Sequence, residues 1–211
     1  KYPARADNAI TGRLAASGRF GATAVEHVDL VVEGGSIDSD GRGTLMTTRR
    51  CLLHPQRNPD LGERPLTQKL SSLLGATRLL WLQHGGLAGD DTDGHIDMLV
   101  RFCSPSTLVY QSCNESAYAW YADLRAMADE LRSWRTIQGE PYRLLALPWP
   151  GAKFANDGTR LPASYANFLV INGAVLVPGY DDPADVETVR VLQMAFPDRE
   201  IIQIPCTALI R

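Results

Sequence analysis

The sequence has no basic excess. Its 21 Lys and Arg stand against 24 Asp and Glu, a net charge of −3 over 211 residues, and the isoelectric point is near 5.8. Non-specific nucleic-acid binding needs a basic surface, so no nucleic-acid partner is expected. Long apolar runs are missing too. The most apolar stretch, FLVINGAVLV (168–177), is broken by Asn172 and Gly173, whereas a membrane-spanning helix needs about 20 apolar residues. No charged segment followed by an apolar one marks a secretory signal. The four cysteines, at 51, 103, 113 and 206, form no CxxC pair, which argues against a zinc ribbon or a thioredoxin-like motif. Reduced thiols and a cytoplasmic location are therefore expected. The sequon Asn114-Glu115-Ser116 is then a chance match. Low-complexity tracts and obvious flexible linkers are also absent. What remains is ordinary: 45% hydrophobic and 21% charged residues, enough for a sizeable core in one or two domains. The chain starts at Lys1 without Met and stops at Arg211 after an apolar run, so it reads as an excerpt from a longer protein.

One unit recurs along the chain. HVDLVVEGGSID, the turn SDGRG and TLMTTRRCLL read as two strands of a hairpin. PLTQKLSSLLGA follows as a helix, with Leu66, Leu70, Leu73 and Leu74 at helical spacing and Gly75 able to end it. RLLWLQHG closes the unit as a strand. The second unit runs HIDMLVRFC, SPS, TLVYQSC, then the helix AYAWYADLRAMADELRSW with Tyr121, Leu124, Ala128 and Leu131 on one face, then YRLLALPWP. The third runs YANFLVI, the Asn172-Gly173 turn, AVLVPGY, a helix PADVETVRVLQMAF with Pro183 near its first turn, and EIIQIPC. Strand, strand, helix, strand thus repeats with a period of roughly 60 to 75 residues, the mark of modules packed around an axis or along a line. The modules span roughly 25–85, 95–150 and 163–206, after a partial one in 1–24 that contributes the helix DNAITGRLAASGRF. A strand is expected to follow that helix around ATAVEHV. GAKFANDGTR (151–160) is expected to be a polar loop.

Each unit carries polar chemistry at the same place, beside its first strand. Glu33 extends the apolar run Leu30-Val31-Val32 and must be solvated or paired, and Gly34-Gly35 after it permits close backbone approach. A salt-bridged strand end accounts for Glu33 equally well. His95 and Asp97 form His-x-Asp, which on a strand puts both side chains on one face and suits general acid/base work. Asp90, Asp91 and Asp93 crowd the preceding loop, which would attract a cation. A solvated acidic turn is the plainer alternative, and the later Glu of a calcium loop is missing. Ser164, Tyr165 and Asn167 precede the third unit's strand, where capping polar groups are the simpler account. Together, a Glu, a His and an Asp at equivalent ends of neighbouring hairpins could hold a planar cation.

VVEGGSIDSDGRGTLMTTRRCLLHPQRNP (31–59), GDDTDGHIDMLVRF (89–102) and LPASYANFLVINGAVLVPGY (161–180) resemble the agmatine deiminases, also described as bacterial, Porphyromonas-type peptidylarginine deiminases. The resemblance covers nearly the whole chain. It implies an α/β fold, the pentein-type propeller of five strand-strand-helix-strand modules, here an incomplete ring. It implies hydrolysis of agmatine to N-carbamoylputrescine and ammonia through a covalent amidino-cysteine, in putrescine synthesis. By motif, His95 would be the general acid/base. Asp97 would grip the guanidinium, and Glu33 would orient His95 and contact the same head group. Asp91 and Asn167 are further substrate-binding candidates. No metal or organic cofactor is implied, the partner is a small cationic guanidine, and such proteins often form homodimers. The resemblance also places the nucleophile in a His-Cys segment beyond Arg211 and another guanidinium-binding Asp before Lys1; Cys206 is not expected to substitute, and Cys51, Cys103 and Cys113 read as small apolar filler. Arginine or peptidyl-arginine as substrate, a non-catalytic cation-binding module and a plain scaffold remain alternatives.

Overall fold

The computed structural model describes residues 5–210. They fall into two compact units, one ending at Leu30 and the other starting at Val31. The first contains two short helices, α1 (Arg5–Asn8) and α2 (Ile10–Ala16), where one longer helix was expected. Ser17 ends α2, its hydroxyl donating to the Leu14 carbonyl at 2.9 Å. No residue of α2 is buried, and the strand expected around ATAVEHV does not form.

The second unit is built from one repeated arrangement. β1 (Ile37–Ser39) and β2 (Thr44–Thr48) form a hairpin. A short helix α3 (Arg49–Leu52) and a longer α4 (Glu63–Leu74) follow, and β3 (Arg78–Leu82) returns parallel to β2. β4 (Val100–Ser104), β5 (Thr107–Gln111), α5 (Tyr121–Ser133) and β6 (Arg143–Leu147) repeat that order. A small hairpin, β7 (Lys153–Phe154) with β8 (Arg160–Leu161), stands where a polar loop was expected. β9 (Leu169–Ile171), β10 (Ala174–Gly179), α6 (Ala184–Ala195) and β11 (Glu200–Pro205) complete the third module. In each three-stranded sheet the second strand is central, antiparallel to the first and parallel to the third. Among the described residues no helix is long and apolar enough to cross a membrane.

The central strand β5 is a wall between two cores. In β5, Leu108 faces a cluster containing Met46 and Leu82 from the first module and Leu124, Met127 and Leu131 from α5. Its neighbour Val109 faces a second cluster with Val175 and Val177 from β10 and Val191 and Leu192 from α6. Alternating side chains of one strand thus serve both cores, the two-residue period of a strand used on both faces. Every residue of β2 is buried, so its polar groups need partners. Thr47 donates to the Ser36 carbonyl at 2.7 Å and Thr48 to the Gly94 carbonyl at 2.7 Å. Those two bonds tie the strand to the segments that carry Glu33 and His95.

Local signals explain most boundaries. Gly75 ends α4 in the left-handed region, φ 67°. Gly173, φ 80°, closes the β9–β10 turn. The strand expected to continue through TLMTTRRCLL stops at Thr48, because the Thr48 hydroxyl accepts from the Cys51 N–H and caps α3. Leu73 and Leu74 were expected on the buried face of α4. They are 46% and 50% exposed, whereas Leu66 and Leu70 are buried.

Candidate active site

The first unit's expected strand HVDLVVEGGSID pairs only at Ile37–Ser39. Upstream, the Asn58 side-chain amide takes the place of a neighbouring strand. It accepts from the Val31 N–H at 3.0 Å and donates to the Val31 carbonyl at 2.9 Å. Glu33 is extended and leads into a tight 3-10 turn, Gly34–Ser36, locked by the Ser36 hydroxyl on the Glu33 carbonyl at 2.6 Å. His95 likewise precedes a 3-10 turn, Ile96–Met98, rather than lying on a strand. The strand alternation expected to align His95 with Asp97 is therefore not what brings them together.

Gly35 brings them together. The two turns pack against each other, and a Cβ built on Gly35 would lie 2.6 Å from His95 Nδ1 and 2.6 Å from Asp97 Oδ2. On the other side of the imidazole, His95 Nε2 lies 4.0 Å from Glu33 Oε1. Asn167, just before the first strand of the third module, lies close enough to favour the charged form of the Asp97 carboxyl. Four of the five expected residues, Glu33, His95, Asp97 and Asn167, are thus linked. Each lies just before the first strand of its module.

The acidic loop is organised inward. Asp90 accepts from the Thr92 N–H at 2.9 Å, from the Thr92 hydroxyl and from the Gly94 N–H at 2.7 Å. Asp93 pairs with Arg57 at 2.7 Å and approaches His54 at 3.8 Å. Asp91 is exposed, and among the described residues no hydrogen bond or ion pair joins it to the site. Ser164 and Tyr165 are structural: the Ser164 hydroxyl donates to the Met98 carbonyl at 2.6 Å, and the Tyr165 hydroxyl to Asp185 at 2.5 Å.

Two atoms of the site, His95 Nε2 and Asp97 Oδ1, are buried with no hydrogen-bond partner among the described residues. Leaving a buried polar atom unpaired costs about 1–3 kcal/mol. A ligand bearing N–H donors would relieve that cost at Asp97 and present its reacting atom to His95. Burial pushes the Asp97 carboxyl up, and the charges of His95 and Arg101 and the nearby Asn167 side chain offset only part of that. A carboxyl raised on folding binds more protons folded than unfolded, so stability falls as pH rises through the shifted range. Asp97→Asn removes that penalty. We expect the variant to melt at a higher temperature than the parent at pH 7. The gap should shrink as pH approaches the ordinary aspartate value of 3.8. A variant less stable at pH 7 would show that the carboxylate is already compensated.

Sequence reasoning missed Arg57, whose side chain is only 5% exposed. Its Nε donates to both Glu33 oxygens at 2.8 and 2.9 Å, Nη1 to Asp93 at 2.7 Å and Nη2 to the Thr92 carbonyl at 2.9 Å. Burial alone would raise the Glu33 carboxyl; the Arg57 hydrogen bonds and charge more than reverse this, holding it below the usual carboxylate range. The residue lies in HPQRNP, a loop without periodicity, and only its place inside the family-like stretch 31–59 could have flagged it. Cys51, read as filler, is fully buried beside the site. Glu33, Cys51 and His95 offer metal-ligand atoms within 4.8 Å of one another. They suit a metal poorly: Arg57 already occupies the carboxylate, and burial pushes the Cys51 thiol up to about 12. A cavity of about 320 Å³ opens elsewhere, lined by Gly179, Asp181, Asp185, Gln203, Pro205 and Thr207. None of these residues belongs to the group around Gly35.

Comparison with known proteins places this arrangement. A model of the Porphyromonas-type peptidyl-arginine deiminases matches residues 1–211. The agmatine deiminase of Pseudomonas putida (strain KT2440) is 35% identical over 197 residues, covering 85% of this chain and 53% of that protein. A Porphyromonas gingivalis crystal structure, described as a candidate arginine deiminase, shares 48% identity at TM-score 0.91 over 97% of this chain and 60% of the other. The solved structure of a C. jejuni agmatine deiminase variant with substrate bound is 34% identical at TM-score 0.92, covering 100% of this chain and 61% of that one. The chain spans about half the length of the curated relatives it matches. On this match along its whole length, the chain belongs to the Porphyromonas-type peptidyl-arginine deiminase family.

Proposed function

We propose that this protein is a guanidine hydrolase that converts agmatine and water to N-carbamoylputrescine and ammonia. The observation that carries the reading is the pair of buried, unpartnered atoms, His95 Nε2 and Asp97 Oδ1, held beside Glu33. Asp97 accepts N–H bonds from the flat guanidinium, and Asn167 steadies it. A cysteine thiolate attacks the guanidinium carbon, His95 gives a proton to the departing ammonia, and an amidino-cysteine remains. His95 then takes a proton from water, which attacks the same carbon and releases the thiolate and the ureido product. Burial raises the thiols of Cys51, Cys103 and Cys113, so none of these three is activated as a nucleophile; following the family resemblance, the thiolate belongs to a His-Cys segment outside these 211 residues.

The rest of the reading follows the same family. The three modules belong to a ring of five, closed by further chain. The reaction feeds putrescine synthesis in the cytoplasm, a setting supported by four free cysteines. The protein forms a homodimer and needs no nucleic acid. The exposed Asp91 guides the cationic substrate toward the site. A second reading, arginine or peptidyl-arginine as substrate, is favoured by the 48% identity to the Porphyromonas gingivalis protein. Ammonia release by the full-length protein from agmatine, arginine and an arginine-containing peptide separates the two. Agmatine should be preferred. No release from agmatine overturns the proposal, and release from arginine or the peptide alone establishes the second reading.

A further inference from the structure

We propose that Arg57 is a positioning residue that commits the Glu33 carboxylate to orienting His95 and withholds it from the substrate, an inference that rests on the deiminase reading. Every N–H of the Arg57 guanidinium has an acceptor. Nε bridges both Glu33 oxygens, Nη2 adds Glu33 Oε1 at 2.7 Å and the Thr92 carbonyl, and Nη1 reaches Asp93 and, at 3.4 Å, the Cys51 carbonyl. One side chain therefore ties together the segment before β1, the end of α3 and the loop that ends at His95. A fork of this shape matches a carboxylate in a way that a lysine ammonium does not.

The arrangement assigns separate work to the two acids. Glu33 already faces a guanidinium, supplied by the protein itself, and its Oε1 also lies 4.0 Å from His95 Nε2; both carboxylate oxygens are engaged by Arg57 although the side chain is 40% exposed. Asp97 keeps an oxygen with no partner. A second guanidinium, that of the substrate, therefore finds its acceptor at Asp97. Loss of Arg57 should loosen Glu33 and the Thr92–His95 loop while leaving the substrate's own acceptor in place. The expected result is a fall in kcat with little change in KM.

Two measurements test this. In the full-length protein, Arg57→Ala should lower kcat for agmatine by roughly 10–100-fold, the range for displaced supporting groups, with KM within about threefold. Arg57→Lys keeps the charge and loses the fork; it serves where the alanine variant does not fold, and should show the same split. Amide hydrogen exchange, without substrate, should speed at Gly94 and His95 and not at Val109 or Met46. An unchanged kcat, or a rise in KM that accounts for the whole loss, overturns the proposal, as does unchanged exchange at Gly94 and His95. If the parent protein releases no ammonia from agmatine, the functional reading fails by itself, and the exchange result still decides whether Arg57 holds the loop.

Discussion

His95→Ala is expected to lower kcat of the full-length protein on agmatine by about 10²–10⁴-fold, the usual contribution of a positioned acid/base. In the proposed mechanism two proton transfers depend on this imidazole, one to ammonia and one from water, and no other histidine of the same unit shares its setting. His84 pairs with Asp123 at 3.4 Å on an exposed surface, and His54 faces Asp93. The fold should be largely indifferent, because His95 Nε2 makes no hydrogen bond that the core needs. A variant that keeps its melting temperature and loses turnover supports the assignment. One that keeps turnover within threefold removes His95 from the chemistry.

Gly35→Ala is the second large effect, and it has an internal control. Gly34 and Gly35 are neighbours in one turn, and neither lies in the left-handed region. A methyl group on Gly34 would meet nothing within 4 Å, whereas one on Gly35 would sit 2.6 Å from both His95 Nδ1 and Asp97 Oδ2. Ordinary contact begins near 3.4 Å, so the two side chains must retreat or the turns must separate. Misplacement approaching 1 Å in a catalytic group can cost about 10²-fold. We expect Gly35→Ala to lose roughly that factor in kcat/KM, and Gly34→Ala to stay within about threefold. Equal behaviour of the two variants would mean that the packing of these turns does not matter to the reaction.

The repeat was legible because it is written in chain-local signals. Asn172-Gly173 and Gly75 announce their turns, and the helical spacing of Leu124, Ala128 and Leu131 matches the buried face of α5. The position of the candidate residues was legible for a related reason: Glu33, His95 and Asn167 recur before the first strand of successive modules. How those residues meet was not legible. The strand through His95 and Asp97 is a turn, since Thr92 and Asp90 bend the chain just ahead of it. The loop of Asp90, Asp91 and Asp93 was expected to attract a cation, but Asp90 accepts from Thr92 and from the Gly94 N–H, and Asp93 pairs with an arginine from another loop. Arg57 shows the limit most clearly, because a buried arginine in an aperiodic loop acquires meaning only from the carboxylates that the fold brings to it. Leu73 and Leu74 fit the helical period yet remain exposed, because the period alone cannot say how wide the neighbouring surface is.

The most direct measurement is a crystal structure of the full-length protein with agmatine bound, its turnover blocked by His95→Ala. The head group should lie flat against Asp97 Oδ1, beside the space the imidazole vacated, with Arg57 still forked onto Glu33. Agmatine bound with its guanidinium on Glu33 and Arg57 displaced, or bound away from the two turns altogether, would contradict the account.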